Sequence, residues 1–88
     1  GWQAEDSFTL AIAVKNDDSL VMKVAAERKG TLVHGGRNID VRHGASALHF
    51  HAKLTEDGFL KFKWLPQDGA STTTIAVISV TQEADVQR

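Results

Sequence analysis

Ala47-Leu48-His49-Phe50-His51-Ala52-Lys53-Leu54 and Phe59-Leu60-Lys61-Phe62-Lys63-Trp64-Leu65 are the two most regular runs in the chain. From Leu48 in the first and Leu60 in the second, apolar and polar residues alternate. Successive side chains on a strand point to opposite faces, so this period marks two half-buried strands. Leu48, Phe50, Ala52 and Leu54 share one face, as do Leu60, Phe62 and Trp64. His49, His51 and Lys53, with Lys61 and Lys63, take the other. A three-residue loop, Glu56-Asp57-Gly58, with glycine in the left-handed position keeps the two faces in phase. A loop one residue longer or shorter would set each apolar side chain against a lysine or histidine. This register pairs Thr55 with Phe59, Leu54 with Leu60, Ala52 with Phe62 and Phe50 with Trp64. It also sets Lys53 opposite Lys61 and His51 opposite Lys63, a cationic outer strip that Arg42 and His43 extend.

The same period runs through the flanking sequence. Phe8, Leu10, Ile12 and Val14 mark a first strand, closed by the turn cluster Asn16-Asp17-Asp18-Ser19. Leu20, Met22, Val24 and Ala26 mark a second. Residues 20–29 have helical propensity, but no capping box begins them and strands flank them. Arg28-Lys29-Gly30 turns the chain into the short Thr31-Leu32-Val33-His34, which Gly35-Gly36 ends. Asn38 to Arg42 alternates again before the turn His43-Gly44-Ala45-Ser46. After the loop Pro66-Gln67-Asp68-Gly69-Ala70, Thr72 to Thr81 is β-branched and nearly continuous in apolar character from Ile75 to Val80. About seven short strands with turn signals every 8–12 residues predict an all-β fold, an antiparallel β-sandwich of immunoglobulin-like type. A small closed barrel is the alternative. The chain reads as one domain over 1–88, with frayed ends at 1–6 and 83–88. It begins Gly1-Trp2 without methionine, the mark of a processed or excised piece, left by a removed signal peptide or a tag.

Hydrophobic residues make up 42% of the 88 and charged residues 24%, which excludes a disordered or low-complexity chain. No apolar run reaches the ~18–20 residues of a membrane helix. The core is thin at this length, and with no cysteine neither disulfides nor thiolate metal sites support it. Ten basic against eleven acidic residues leave a formal charge of −1, which argues against a nucleic-acid partner.

Catalytic patterns are absent. No Gly-x-Ser-x-Gly surrounds a serine, no Gly-Lys-Ser/Thr follows a glycine pair, and Asn16-Asp17-Asp18 lacks the spaced ligands of a calcium loop. Asp17-Asp18 and Glu56-Asp57 are adjacent in turns, so their carboxylates diverge. His49 and His51 share a strand face, but Lys63 opposite His51 repels a cation, so they are expected to bind no metal. Trp64 reads as core, and Trp2 as frayed or covering an open end of the sandwich. The chain is expected to be a non-enzyme without cofactor. Its candidate partner-binding residues are Lys53, Lys61, Lys63, His51, His49 and Arg42.

One family shares the order of these features. The strand from Val24 is followed by Arg28-Lys29-Gly30, His34-Gly35-Gly36, Ile39-Asp40-Val41-Arg42-His43-Gly44, Leu48 and Leu54, then Phe59 to Trp64 and Asp68-Gly69 before a last strand. This order resembles the small periplasmic curli-assembly chaperones, of the CsgC and CsgH type, over Phe8 to Val80. Enteric members carry Cys-x-Cys near the start of the second strand. The corresponding Asp18 to Leu20 has none, which excludes their redox chemistry, and the other branch of the family lacks it too. The resemblance implies an immunoglobulin-like sandwich, a periplasmic location, and inhibition of curli amyloid assembly through an electrostatic strand surface. The implied partner is an acidic or amyloid-prone secreted subunit, bound by what is expected to be a monomer. The alternative is an accessory or structural module of a larger surface, phage or secretion assembly.

Overall fold

The computed structural model describes residues 7–67 and 75–83. Among them are seven strands and no helix: β1 Ser7–Leu10, β2 Ser19–Ala26, β3 Gly30–His34, β4 Arg37–Val41, β5 Gly44–His51, β6 Leu60–Pro66 and β7 Ile75–Gln82. They form two antiparallel sheets, ordered β1-β6-β3-β4 and β5-β2-β7. The inward sides of both build one core, with Leu20, Met22 and Val24 of β2 meeting Leu32 of β3 and Leu60, Phe62 and Trp64 of β6. The all-β sandwich therefore stands, and residues 20–26 are strand. In an immunoglobulin constant domain the first strand pairs with the second and the last with the sixth. Here β1 pairs with β6 and β7 with β2, while the central pairs β2–β5 and β3–β6 keep that arrangement.

The register expected between the two regular runs holds only at the loop. Thr55 donates its N–H to the Phe59 carbonyl at 2.8 Å, Leu54 bridges Leu60, and Gly58 has φ 87°. Beyond that bridge the runs part into different sheets. Ala52 does not face Phe62, nor Phe50 Trp64; Phe62 pairs with Phe8, Trp64 with Leu32, and Phe50 with Leu20. Lys61 stands opposite Thr9, Lys63 opposite Ser7 and Val33, and His51 opposite Ser19, so the predicted Lys53–Lys61 and His51–Lys63 pairs do not form. A hairpin pattern cannot distinguish one sheet from two, because both solutions bury the same face.

Several boundaries also shift. β1 ends at Leu10 because its antiparallel partner β6 begins at Leu60. Ile12 and Val14 continue as half-buried coil against the core while the chain crosses between sheets. β5 begins at Gly44, so Ala45 and Ser46 are strand rather than turn, and Ala52 to Leu54 lie past its end. Glu83 donates its N–H to the Ser19 carbonyl at 2.8 Å. Trp2, residues 68–74 and the tail from 84 lie outside the described residues.

Three glycines shape the path of β3. Gly35 and Gly36 have φ 58° and 78°, the double left-handed turn that joins β3 to β4 with only two residues. Gly30 opens β3 beneath Trp64: a Cβ there would lie 2.5 Å from the Leu65 carbonyl and 2.7 Å from the indole. The β2–β7 register slips between Lys23 and Val24 of β2, which leaves Ile78 of β7 out of the ladder; its side chain is 62% exposed.

Candidate functional site

Residues 52–54 belong to no strand, yet their backbone is held at every N–H. Ala52 donates to the Asp18 carbonyl at 2.9 Å, Lys53 to His34 Nε2 at 3.0 Å and Leu54 to Asn16 Oδ1 at 2.7 Å. Asp17 N–H returns a 2.7 Å bond to the Ala52 carbonyl. The turn cluster Asn16-Asp17-Asp18 is thus a clamp on the chain after β5. Its left-handed residue is Asp17, with φ 72°, a conformation that short polar side chains tolerate.

His34 is the buried end of this clamp, 3% exposed. Because Nε2 accepts the Lys53 N–H, the ring proton sits on Nδ1, which donates to the Lys61 carbonyl at 2.9 Å. The ring stacks on Phe62 at 4.5 Å and meets Phe50 edge-on at 5.1 Å. His34, at the end of β3, therefore ties the neighbouring strand β6 to the strandless segment after β5. Its position two residues after Leu32 marks it as inward, but neither that spacing nor composition reveals its partners.

This clamp brings Lys53 beside β6 by a route other than strand pairing. Lys53 packs across Gly35, and with Lys61 and Lys63 it lines an open depression of about 600 Å³, whose wall includes Ser7, Val33 and Thr55. The Lys53 ammonium bonds Asp17 Oδ1 at 2.7 Å. That hydrogen bond and the charge behind it hold the Asp17 carboxyl below the usual carboxylate range. Lys61 and Lys63 have no ionic partner among the described residues.

The other expected site residues lie elsewhere. His49 and His51 project from β5 on one face, and His49 Nδ1 is 3.7 Å from Glu83 Oε1. Both line a second cavity of about 470 Å³ between β4 and β5, with Lys53 at its border. Arg42 lines a third, of about 620 Å³, farther along the same boundary. The six candidates are thus divided between a lysine depression and a seam, with Lys53 at the junction. Among the described residues no three histidine, aspartate or glutamate side chains gather as metal ligands do.

No family model matches the chain, and neither a curated protein nor a solved structure matches it.

Proposed function

We propose that the domain is an exported, non-enzymatic binding protein that restrains amyloid assembly of an acidic secreted subunit in the periplasm. The supporting observation is the convergence of Lys53, from the segment after β5, with Lys61 and Lys63 of β6 on one open depression. Like charges held together on a rigid surface attract an anionic chain at long range, and neither catalysis nor a cofactor is needed for that. Asp17 neutralises part of the field at Lys53. Lys61 and Lys63, without an ionic partner among the described residues, carry the rest.

The test is the lag time of amyloid formation by a curli-type subunit. Wild-type domain at substoichiometric ratio should lengthen the lag. Salt should shrink the effect, because the Debye length falls from about 10 Å at 0.1 M to about 3 Å at 1 M. Lys61→Glu with Lys63→Glu should abolish it while the domain stays folded, since both side chains face water. Lys53 is left in place, because a glutamate there would meet Asp17. Full inhibition by the double variant sinks the lysine depression as the active surface, and no inhibition by wild type sinks the chaperone reading.

A further inference from the structure

β4 and β5 are edge strands of opposite sheets, and they barely meet. The sandwich is open along their boundary, where the two cavities of about 620 and 470 Å³ lie end to end. Core residues are incompletely covered there. Ile39 and Phe50 are only half-buried although both pack against the core cluster. Among the described residues β5 pairs with β2 alone, so one side of its eight-residue backbone has no strand partner among them. An edge of this kind accepts an added strand through main-chain hydrogen bonds, with alternate side chains giving specificity.

Charge selects the occupant. Lys29 and Arg42 line one cavity and Arg37 the other; none has an ionic partner among the described residues. Asp40 is the one acid among the lining residues of the first cavity and Glu83 the one acid among those of the second, its Oε1 3.7 Å from His49 Nδ1. We infer that the β4–β5 seam binds an extended acidic peptide, which adds to the free edge of β5 with apolar side chains over Ile39 and Phe50 and carboxylates toward Arg37 and Arg42. The inference uses residues other than Lys61 and Lys63 and stands apart from the amyloid reading.

The test is titration of the isotopically labelled domain with an eight-residue peptide of alternating valine and glutamate, matched to the length of β5. Amide shifts should concentrate on β4 and β5, and exchange of β5 amides with solvent should slow. A version N-methylated at alternate residues should lose binding, because it keeps every charge but cannot complete a ladder. A valine–lysine version should not bind. Arg37→Glu with Arg42→Glu should weaken binding about tenfold or more. Equal binding of the N-methylated peptide, shifts centred on Lys61 and Lys63, or no binding of the glutamate peptide at millimolar concentration would each overturn the seam. The peptide comparisons decide the matter even where the arginine variant is poorly folded.

Discussion

His34 holds a proton on Nδ1 and a lone pair on Nε2, and both are used. His34→Ala removes the ring and leaves the Lys61 carbonyl and the Lys53 N–H without partners. We expect a loss of about 2–4 kcal/mol in urea unfolding. His34→Phe separates the contributions: it keeps the stack on Phe62, so any remaining loss reports the two hydrogen bonds. Phe62 is the centre of the aromatic cluster, stacked on Phe8 at 5.2 Å and edge-on to Phe50 at 5.5 Å. Phe62→Ala should cost about 3–5 kcal/mol, a large share of a total stability of ~5–10 kcal/mol. Asp17 supplies a pH signature. Its carboxyl titrates lower in the folded chain than in the unfolded one. The Lys53–Asp17 contribution is therefore present above the unfolded carboxylate pKa and lost as pH falls through the lowered one. Melting curves of wild type and Asp17→Asn should differ slightly at neutral pH and converge in acid. The difference should also shrink with salt, because the pair is exposed.

Among the strands, β3 depends on its first residue. Gly30→Ala would force a methyl group into the Leu65 carbonyl and the Trp64 indole, and the backbone on one side cannot yield cheaply. A loss of about 1–3 kcal/mol is expected from the urea midpoint. β7 shows the opposite behaviour at its bulge. Ile78 projects into solvent, so Ile78→Lys should change stability by less than about 0.5 kcal/mol. It should also slow aggregation of concentrated protein, because a charge on an exposed edge strand opposes edge-to-edge pairing. The alternation of β2 carries more weight than its helical propensity. Leu20, Met22, Val24 and Ala26 are all buried on one side, which a helix over the same residues would scatter around its axis.

For the molecule as a whole, the parting of β5 from β6 governs both the core and the surface. It places Phe50 in one sheet and Phe62 in the other, so that they meet across the interior instead of along a ladder. It also separates His49 and His51 from Lys61 and Lys63. Backbone proton contacts in solution should connect Phe8 with Phe62 and Leu20 with Phe50, and Leu54 with Leu60 at the loop. None should connect Phe50 with Trp64. A Phe50–Trp64 backbone contact would restore a single hairpin and dissolve the seam between β4 and β5.

Period-two alternation and turn chemistry were enough to establish the strands, the inward face, the three-residue loop at Glu56-Asp57-Gly58 and the burial of Trp64, because each depends on neighbours in the chain. The exposure of Lys53, Lys61 and Lys63 follows from the same parity. Sheet membership does not, since a strand that buries one face satisfies that requirement equally well against a hairpin partner or across a sandwich. The tertiary structure settled that choice through contacts far apart in sequence: β1 on β6, β7 on β2, and the His34 and Asn16-Asp17-Asp18 clamp on residues 52–54. The clamp, and not a cross-strand pairing, brings Lys53 to Lys61 and Lys63. Its polar groups are satisfied only when three distant segments meet, and no local pattern encodes that meeting.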